Sequence, residues 1–409
     1  MITRNETDIN AGMINKSLVL ESIGKIEYRE TKMPEIHDGE VLIRVKAAGI
    51  CGSDIPRAYK TGAHMMPIIP GHEFSGVVES VGKNVSSAWI GKRVSIFPKI
   101  ACGKCEQCKK GNPGSCTDYD YIGSRRNGAF AEYVTAPVGN LLKLPENVSF
   151  EEAAMFEPLG VAANAVRTAL GLKKSGVGCL QTGKADPEIN QIDKSKTFVI
   201  CGMGTIGLLI AMLLKAEGFT KIYGIGNKES QKKRFEALGI PEGIFLQSAD
   251  QGANEPSDPD FKENRCITER IKNITCGGAD CYFECVGKNE CISQGIESVG
   301  PGGTVVLVGN PYSDMNFEKN VYWKILREQI TLKGIWNSEF AGEPSEEYKS
   351  ELTETQTSDD WHYVLSLMEE GKIKPGKLIT HRFSLEEARK GFELMRDKTE
   401  DYCKVMILP

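Results

Sequence analysis

Residues 197–218, TFVICGMGTIGLLIAMLLKAEG, decide the fold of the second half of this 409-residue chain. The apolar run TFVIC enters a glycine-rich turn, and a helical apolar pattern follows directly. Small residues let such a turn approach a pyrophosphate, whose charge is stabilised at the N-terminus of the helix. The predicted cofactor-binding residues of the turn are Gly202, Gly204, Thr205, Ile206 and Gly207. The alternative is a turn of similar composition that only joins a strand to a helix.

Five further apolar segments alternate with helical patterns up to about Trp336. They read KIYGI, GIFLQ, CYFECV, TVVLVG and ITLKGIW, and each is mostly apolar on both faces. Strands of a parallel sheet have this character because helices cover both sides of the sheet. Together with TFVIC, these segments predict a six-stranded, doubly wound α/β sheet of the Rossmann type.

The first part of the chain, up to about Pro145, has a different pattern. Segments such as EVLIRVKAAGI, SGVVESVG, GKRVSIFP and AFAEYVTAP alternate apolar and polar positions around Gly and Pro. This alternation is typical of short antiparallel strands and predicts a β-rich, barrel-like domain. A helix is predicted from the N-cap Ser149 onward. From Trp361, a helix, a strand, a second helix and the last strand CKVMILP are predicted to return to this domain.

Composition argues against several classes of partner. The formal charge is only −5 and no basic block stands out, which argues against nucleic acid and membrane surfaces. No apolar run is long enough to span a membrane, and the polar N-terminus has no secretory signal, so a cytoplasmic protein is expected. Two polar segments, near residues 173–195 and 248–264, are predicted surface insertions of unknown role.

Four of the thirteen cysteines are clustered in CGKCEQCKKGNPGSC, at the spacing C-x2-C-x2-C-x7-C. Four thiolates without an open position predict a closed, tetrahedral structural zinc site. The candidate ligands of this lobe, which spans residues 102–116, are Cys102, Cys105, Cys108 and Cys116. The alternatives are unligated loop thiols and an iron–sulfur cluster, which would normally belong to an electron-transfer chain for which the sequence has no second element.

A second metal site is predicted from Cys51 and the pair His72-Glu73, about twenty residues later. Thiolate, imidazole and carboxylate together suit zinc, and a site with three protein ligands keeps one position open for substrate. Glu157, in the apolar segment FEPLG, strengthens the prediction because a buried carboxylate needs a partner. We therefore expect Cys51, His72 and Glu157 to bind this zinc, with Glu73 exchanging with water or with Glu157. Asp54 is expected to hold His72 through its second ring nitrogen.

The end of the second strand of the parallel sheet bears on the choice of cofactor. NAD-binding sheets carry an acid there for the ribose hydroxyl groups, whereas this chain reads Gly226-Asn227-Lys228. No carboxylate repels a 2′-phosphate, and Lys228 is placed to pair with it, so NADP is favoured over NAD. Asn227 and Lys228 are thus candidate cofactor residues, although most of residues 228–234 also fits the solvated face of a helix.

Several motifs, in their order along the chain, resemble those of the zinc-dependent medium-chain alcohol/polyol dehydrogenases. They are GHEFSG, the four-cysteine lobe, GAFAEY at residues 128–133, EPL and the glycine-rich turn. The resemblance implies a GroES-like catalytic domain at residues 1–161 and 340–409, a Rossmann domain at residues 162–339, and a homodimer or homotetramer. GSDIPRAYKTGAH, YDYIGSRRNGAFAEY and LKGIWN are more similar to the galactitol-1-phosphate 5-dehydrogenase branch than to sorbitol or ethanol enzymes.

The expected activity is hydride transfer between a polyol or polyol phosphate and a nicotinamide cofactor, with two zinc ions per chain. Zinc at the open site would polarise the substrate oxygen. Ser53 is a candidate for relaying the hydroxyl proton, or it only caps the local turn. The candidate substrate residues are Arg57, His64, Arg125, Arg126, Trp336 and Asn337. Three of these, His64, Trp336 and Asn337, are implied by the resemblance only.

Other interpretations stay open at this point. The arginines also fit ordinary surface charge, and Arg125 and Arg126 fit a contact with the cofactor or with a neighbouring subunit. An alternative activity is an NAD-linked dehydrogenase of an unphosphorylated alcohol, of the sorbitol or threonine type. A protein of another class, a zinc- and nucleotide-binding sensor without turnover, would be expected to lack a ligand of the open site, and all candidate ligands are present.

Overall fold

The computed structural model of the protein describes residues 14–172, 189–248, 267–311, 313–343 and 359–409. Most of the two predicted insertions lies outside the described residues. The described end of the first insertion is not entirely a surface segment, because Ile189 is fully buried in the largest hydrophobic cluster. No helix among the described residues combines the length and the apolar composition that crossing a membrane requires.

The first sheet contains strands from both ends of the chain. A hairpin of β1 (Ile14–Ser22) and β2 (Lys25–Lys32) precedes it in sequence. Its seven strands are β3 (Glu40–Ile50), β4 (Glu73–Val81), β5 (Arg93–Ile96), β8 (Tyr133–Pro137), β9 (Leu141–Lys143), β16 (Ile379–Ser384) and β17 (Lys404–Leu408). They lie in the order β16-β17-β3-β4-β5-β9, and β8 also pairs with β3. The C-terminal segment thus joins the first sheet, while the domain boundaries near residues 161 and 340 stay a prediction.

A separate short ribbon of β6 (Lys99–Ile100) and β7 (Asp120–Tyr121) brackets the cysteine lobe. The helices of the first half are α1 (Asp54–Pro56), α2 (Glu106–Lys109), α3 (Phe150–Ala153) and α4 (Phe156–Ala169), with a π-helical turn at Arg57–Thr61. The helix predicted from Ser149 begins with a capping box between Ser149 and Glu152, but it is interrupted after Ala153. Pro158 has no N–H group to donate to the carbonyl of Ala154, so α3 and α4 are separate helices.

The second sheet has six parallel strands. They are β10 (Phe198–Cys201), β11 (Ile222–Gly226), β12 (Ile244–Gln247), β13 (Ala279–Glu284), β14 (Val299–Leu307) and β15 (Thr331–Gly334). Their order is β12-β11-β10-β13-β14-β15, so the strand order reverses beside β10. The described helices that follow are α5 (Thr205–Ala216), α6 (Glu229–Glu236), α7 (Ile267–Ile274), α8 (Asn289–Ser298), α9 (Lys319–Arg327), α10 (Asp360–Glu369) and α11 (Ala388–Asp397). The predicted α/β fold, with a doubly wound six-stranded sheet, is confirmed.

Alternate residues of the central strand β10 face opposite sides of the parallel sheet. Phe198 and Ile200 belong to the largest hydrophobic cluster, with residues of α4, α5 and α10. Val199 and Cys201 belong to another cluster, with residues of α7, α8 and α9. Both faces of the strand are therefore buried, as its continuous apolar sequence predicts.

The register of the first sheet brings three distant parts of the chain together. Gly49 on β3 lies opposite Glu73 on β4, and it also lies opposite Met406 on β17. Cys51 directly follows β3, and His72 directly precedes β4. The candidate metal ligands therefore meet at one end of these three strands.

Candidate functional site

Cys51, His72 and Glu73 form a cluster of potential metal ligands. Their Sγ, ring-nitrogen and carboxylate-oxygen atoms all lie within 4.8 Å of one another. His72 and Glu73 are buried, and Cys51 is partly buried. A thiolate, an imidazole and a carboxylate at this spacing form a donor set that suits Zn²⁺.

Two glycines allow the backbone to close around this cluster. A Cβ atom on Gly49 would overlap the carboxylate of Glu73. Gly71 has a φ of 102°, and its carbonyl accepts a hydrogen bond from the N–H of Ala129 at 2.9 Å. A Cβ atom on Gly71 would lie 3.1 Å from that same nitrogen. The motifs GHEFSG and GAFAEY therefore pack backbone to backbone, which holds the neighbouring His72 in place.

Glu157 lies in the first turn of α4, is buried, and faces the same region. It accepts a hydrogen bond from the hydroxyl group of Tyr121 at 3.2 Å. Burial raises the pKa of Glu157 and outweighs the opposite effect of His72. The group of ligand atoms within 4.8 Å of one another contains Glu73 rather than Glu157. The assignment of Glu157 as a zinc ligand therefore stays a prediction.

Lys404, the first residue of β17, is a site residue that sequence reasoning missed. Its Nζ atom forms a buried ion pair with Glu73 and donates a hydrogen bond to the carbonyl of Ile50 at 3.1 Å. Burial lowers the pKa of Lys404, but the charges of Glu73 and Cys51 outweigh this effect and raise it. A charged Lys404 thus fixes the carboxylate of Glu73. The available signal was a lysine in the apolar segment CKVMILP, whose partner is 331 residues away.

Ser53, Asp54 and Arg57 form a polar network around Cys51. The hydroxyl group of Ser53 donates to Sγ of Cys51 at 3.2 Å and accepts a hydrogen bond from Nη1 of Arg57 at 3.1 Å. Oδ2 of Asp54 accepts the N–H of Cys51 at 3.0 Å. Oδ1 of Asp54 lies 3.5 Å from Nδ1 of His72, which is an electrostatic contact rather than a hydrogen bond. Asp54 therefore lies next to the ring of His72, as expected, but does not form a hydrogen bond with it.

The surroundings of His72 favour a cation. Its Nδ1 atom is buried without a hydrogen-bond partner among the described residues. Burial lowers the pKa of His72, but Asp54, Cys51 and Glu157 outweigh this effect and raise it to about 10. An anionic environment that favours a proton on the ring also favours a metal ion beside it. The donor set and its electrostatic surroundings thus fit the predicted zinc.

The predicted arginines have different neighbours. Arg57 is joined to Cys51 through the hydroxyl group of Ser53. Arg126 forms an ion pair with Glu40 at 2.8 Å and lies 3.8 Å from Asp120. The guanidinium group of Arg125 lies over the ring of Tyr119, 4.4 Å from its centroid. Of these three arginines, Arg57 is connected to the metal cluster by hydrogen bonds among the described residues, through Ser53.

The three substrate residues implied by resemblance lie at the surface or in a loop. His64 is exposed, and the side chain of Trp336 is 64% exposed. The carbonyl of Asn337 accepts a hydrogen bond from Nδ2 of Asn164 at 2.8 Å. Their roles in substrate binding stay predictions.

The glycine-rich turn connects β10 to α5 at the point where the strand order reverses. Gly202 has a φ of 97°, and a Cβ atom on it would lie 2.7 Å from Cγ2 of Val286. A Cβ atom on Gly207 would overlap the carbonyl of Gly202. Thr205, the first residue of α5, donates a hydrogen bond to the carbonyl of Cys403 at 2.8 Å. This is the position at which parallel sheets bind a dinucleotide pyrophosphate.

The end of β11 has no room for a side chain at residue 226. A Cβ atom on Gly226 would lie 2.5 Å from Oε1 of Gln231 and 2.8 Å from Cζ of Phe245. Oε1 of Gln231 accepts hydrogen bonds from the N–H groups of Asn227 at 3.0 Å and Lys228 at 3.2 Å. A neutral amide therefore caps the end of this strand, and the side chain of Lys228 is exposed beside it.

The four-cysteine lobe contains the short helix α2, on which Cys108 lies. Its four Sγ atoms lie within 4.8 Å of one another, with 3.5 Å between Cys105 and Cys108 and 3.8 Å between Cys105 and Cys116. A zinc tetrahedron with bonds of about 2.3 Å has sulfur–sulfur edges of about 3.8 Å. Backbone N–H groups of Cys108 and Thr117 lower the pKa of Cys105 to about 5. The spacing fits one ion better than a cluster of several irons.

Comparison with known proteins gives two family matches in succession. The family described as alcohol dehydrogenase GroES-like domain matches residues 37–146. The family described as zinc-binding dehydrogenase matches residues 205–356. The first match contains both clusters of candidate metal ligands but not Glu157, and the second begins at the N-terminus of α5.

Relatives match nearly the whole chain. Galactitol 1-phosphate 5-dehydrogenase of Escherichia coli is 30% identical over 397 residues, which cover 96% of this chain and 100% of the relative. L-threonine 3-dehydrogenase of Bacillus subtilis is 31% identical over 386 residues, which cover 93% of this chain and 94% of the relative. The crystal structure of a zinc-binding dehydrogenase of Sinorhizobium meliloti bound to NADP has a TM-score of 0.76 and 26% identity, and the match covers 97% of this chain and 100% of that one.

These similarities agree with the geometry in both halves of the chain. A relative at 30% identity is covered over its full length, and the two family matches follow the order of the two sheets. The chain therefore belongs to the zinc-dependent medium-chain dehydrogenases, a family of alcohol and polyol oxidoreductases.

Proposed function

We propose that the protein transfers a hydride between a secondary alcohol of a polyol or polyol phosphate and NADP. The observation that carries the proposal is the cluster of Cys51, His72 and Glu73, with the buried Glu157 close by. The name of the galactitol 1-phosphate 5-dehydrogenase relative supports a polyol phosphate as substrate.

Two zinc ions per chain are part of the proposal. Cys51 and His72, with Glu73 or Glu157, would hold the ion at the open site, where it supplies a Lewis acid for the substrate oxygen. Ser53 would carry the hydroxyl proton, since its Oγ atom contacts both the Cys51 sulfur and Arg57. The ligands of the second ion would be Cys102, Cys105, Cys108 and Cys116.

The end of β11 supports the proposed preference for NADP. Gly226 packs against Gln231 and Phe245, so no carboxylate at residue 226 repels a 2′-phosphate. Lys228 is exposed at the start of α6 and would pair with this phosphate. The NADP-bound structure with a TM-score of 0.76 supports this choice.

Arg57 is the best-placed residue for a phosphate group on the substrate. Its side chain is 29% exposed, and one hydroxyl group separates it from the sulfur of Cys51. A guanidinium group matches the geometry of a phosphate and binds it through two parallel hydrogen bonds. Arg57 would thus select polyol phosphates over free polyols.

A specific observation favours the second candidate, an NAD-linked dehydrogenase of an unphosphorylated alcohol. Arg126 is already paired with Glu40, and Arg125 lies on the ring of Tyr119. Arg57 also lies 3.4 Å from Asp54, so all three arginines predicted for a phosphate have partners within the protein. The similarity to L-threonine 3-dehydrogenase also supports this candidate.

A substrate panel separates the two candidates. Hexitol phosphates, free hexitols and threonine are each assayed with NADP and with NAD. We expect the highest kcat/KM for a hexitol phosphate with NADP. Replacing Arg57 with Ala should lower kcat/KM for that substrate roughly tenfold to a hundredfold, the usual effect of losing a hydrogen bond to a charged group. Higher kcat/KM for a free alcohol with NAD would establish the alternative.

The zinc assignment is tested in the same preparations. Cys51→Ser should reduce the zinc content from two ions per chain to one and lower turnover on the order of a thousandfold, because the Lewis acid contributes several kcal/mol. Cys108→Ser is the matched control, since it removes a thiolate of the other cluster. Normal turnover of the Cys51→Ser protein would refute the proposed role of zinc.

A further inference from the structure

Asp401 joins the segment before β17 to the helix that follows the end of β11. Its Oδ1 atom accepts a hydrogen bond from Oγ of Ser230 at 2.6 Å, and its Oδ2 atom forms an ion pair with Arg234. Both partners belong to α6, which begins immediately after Lys228. A carboxylate from the C-terminal part of the chain therefore lies against the basic helix beside the proposed cofactor site.

The charge of Asp401 is maintained by this environment. Burial raises its pKa, but the hydrogen bonds from Arg234 and Ser230 outweigh this effect, and the charges of Arg234 and Lys228 lower the pKa further. The side chains of Arg234 and Asp401 are 20% and 38% exposed, so solvent screens this pair only in part. At neutral pH, one positive charge of the run from Lys228 to Arg234 is neutralised, and a negative charge acts on Lys228.

We propose that Asp401 is a specificity-determining residue that limits the preference for NADP over NAD. This inference rests on the proposed position of the 2′-phosphate beside Lys228. Asp401 pairs with Arg234, a further cation of this helix, and its negative charge would repel a phosphate bound beside Lys228. NAD has a neutral hydroxyl group at the same place, so the carboxylate penalises one cofactor and leaves the other almost unaffected.

Cofactor affinities of a charge-removing variant test this role. We expect Asp401→Asn to lower the Kd for NADP about fivefold, the size of a partly screened charge interaction, and to change the Kd for NAD less than about twofold. Since the effect is electrostatic, it should shrink at high ionic strength. Asp401→Ser provides a second variant with a neutral side chain, in case Asp401→Asn folds poorly.

Glu400→Gln is the matched control. This variant removes the same charge one residue earlier, from a side chain that is 69% exposed and contacts His381 at 3.3 Å. Its ratio of Kd for NAD to Kd for NADP should equal that of the unmodified protein. If Asp401 had only a structural role, the Asp401 variants would bind both cofactors more weakly, to the same extent and at every ionic strength.

The outcomes separate this inference from the proposed function. The ratio of the two Kd values in the unmodified protein tests the preference for NADP, whereas the change of that ratio in the Asp401 variants tests the role of Asp401. An unmodified protein that prefers NAD, with a ratio that still moves toward NADP in Asp401→Asn, would refute the preference and support the inference. Equal ratios in the unmodified protein and in both Asp401 variants, or an equal shift in Glu400→Gln, would overturn the inference.

Discussion

Lys404 and Glu73 form an ion pair that is almost completely shielded from water, with side chains 3% and 2% exposed. Removal of one member of such a pair leaves the other charge buried without compensation. We therefore expect Lys404→Met to lower the free energy of unfolding by about 3 to 5 kcal/mol. Urea denaturation of the protein after removal of zinc, followed by tryptophan fluorescence, measures this change, because zinc at the open site would be a second partner for Glu73.

Two further variants isolate the effect of the buried charge. Lys404→Met combined with Glu73→Gln should regain at least half of the lost stability, because no buried charge then lacks a partner. Lys372→Met removes a lysine that pairs with Glu370 at the surface, with side chains 46% and 44% exposed, and should cost less than about 1 kcal/mol. Equal costs for the two single variants would contradict this account.

At the scale of elements, the segment from Asp401 to Lys404 connects three parts of the site. Asp401 contacts α6, the carbonyl of Cys403 accepts a hydrogen bond from Thr205 at the start of α5, and Lys404 holds Glu73. Consecutive residues before and at the start of β17 therefore contact the cofactor helices and the metal cluster together. A displacement of this segment would affect both.

Elements with a local signal were predictable from the sequence. The unit at residues 197–218 was recognisable because strand, glycine turn and helix are adjacent, and the cysteine lobe because its spacing is short. The contacts of Lys404 and Asp401 were not, since their partners Glu73 and Arg234 are 331 and 167 residues away. A single sequence does not show how such distant segments are placed relative to one another. The break between α3 and α4 was readable from Pro158 but was missed.

Helix α10 begins with a buried pair whose charges depend on pH. Oδ1 of Asp359 accepts the N–H groups of Trp361 at 2.9 Å and His362 at 2.8 Å, and Oδ2 lies 2.8 Å from Nδ1 of His362. Burial lowers the pKa of His362, but Asp359 outweighs this effect and raises it above 6.5. Burial raises the pKa of Asp359, but His362 outweighs this effect and lowers it below 3.8.

The contribution of this pair to the free energy of unfolding should therefore decrease as the pH rises above 6.5. Between 6.5 and the raised pKa of His362, the folded protein retains a proton that the unfolded chain releases, so stability falls as pH rises. The slope from one such group is at most about 1.4 kcal/mol per pH unit. Urea denaturation is measured from about pH 6 to about pH 9, a range that covers a histidine transition. The free energy of unfolding should decrease less steeply with pH for His362→Asn and for Asp359→Asn than for the unmodified protein. Parallel pH profiles for all three proteins would refute this coupling.

At the scale of the whole molecule, one edge of the parallel sheet carries an apolar surface. Tyr322, Trp323 and Leu326 on α9 are 55%, 54% and 53% exposed. The strand that follows, β15, has a neighbour on one side only within the described sheet. Open edges and apolar patches are places at which proteins associate. Trp336 comes two residues after β15 and is 64% exposed, so an assembly at this edge could change its exposure.

The homo-oligomer implied by the family resemblance should form through this edge. Trp323→Glu combined with Leu326→Glu would place two charges in the apolar surface, and we expect the assembly to dissociate to monomers. Size-exclusion chromatography with light scattering measures the mass. Ile244→Glu is the control, because Ile244 is 42% exposed on β12, the strand at the opposite edge of the sheet. An unchanged mass for the double variant, or monomers for Ile244→Glu, would place the interface elsewhere.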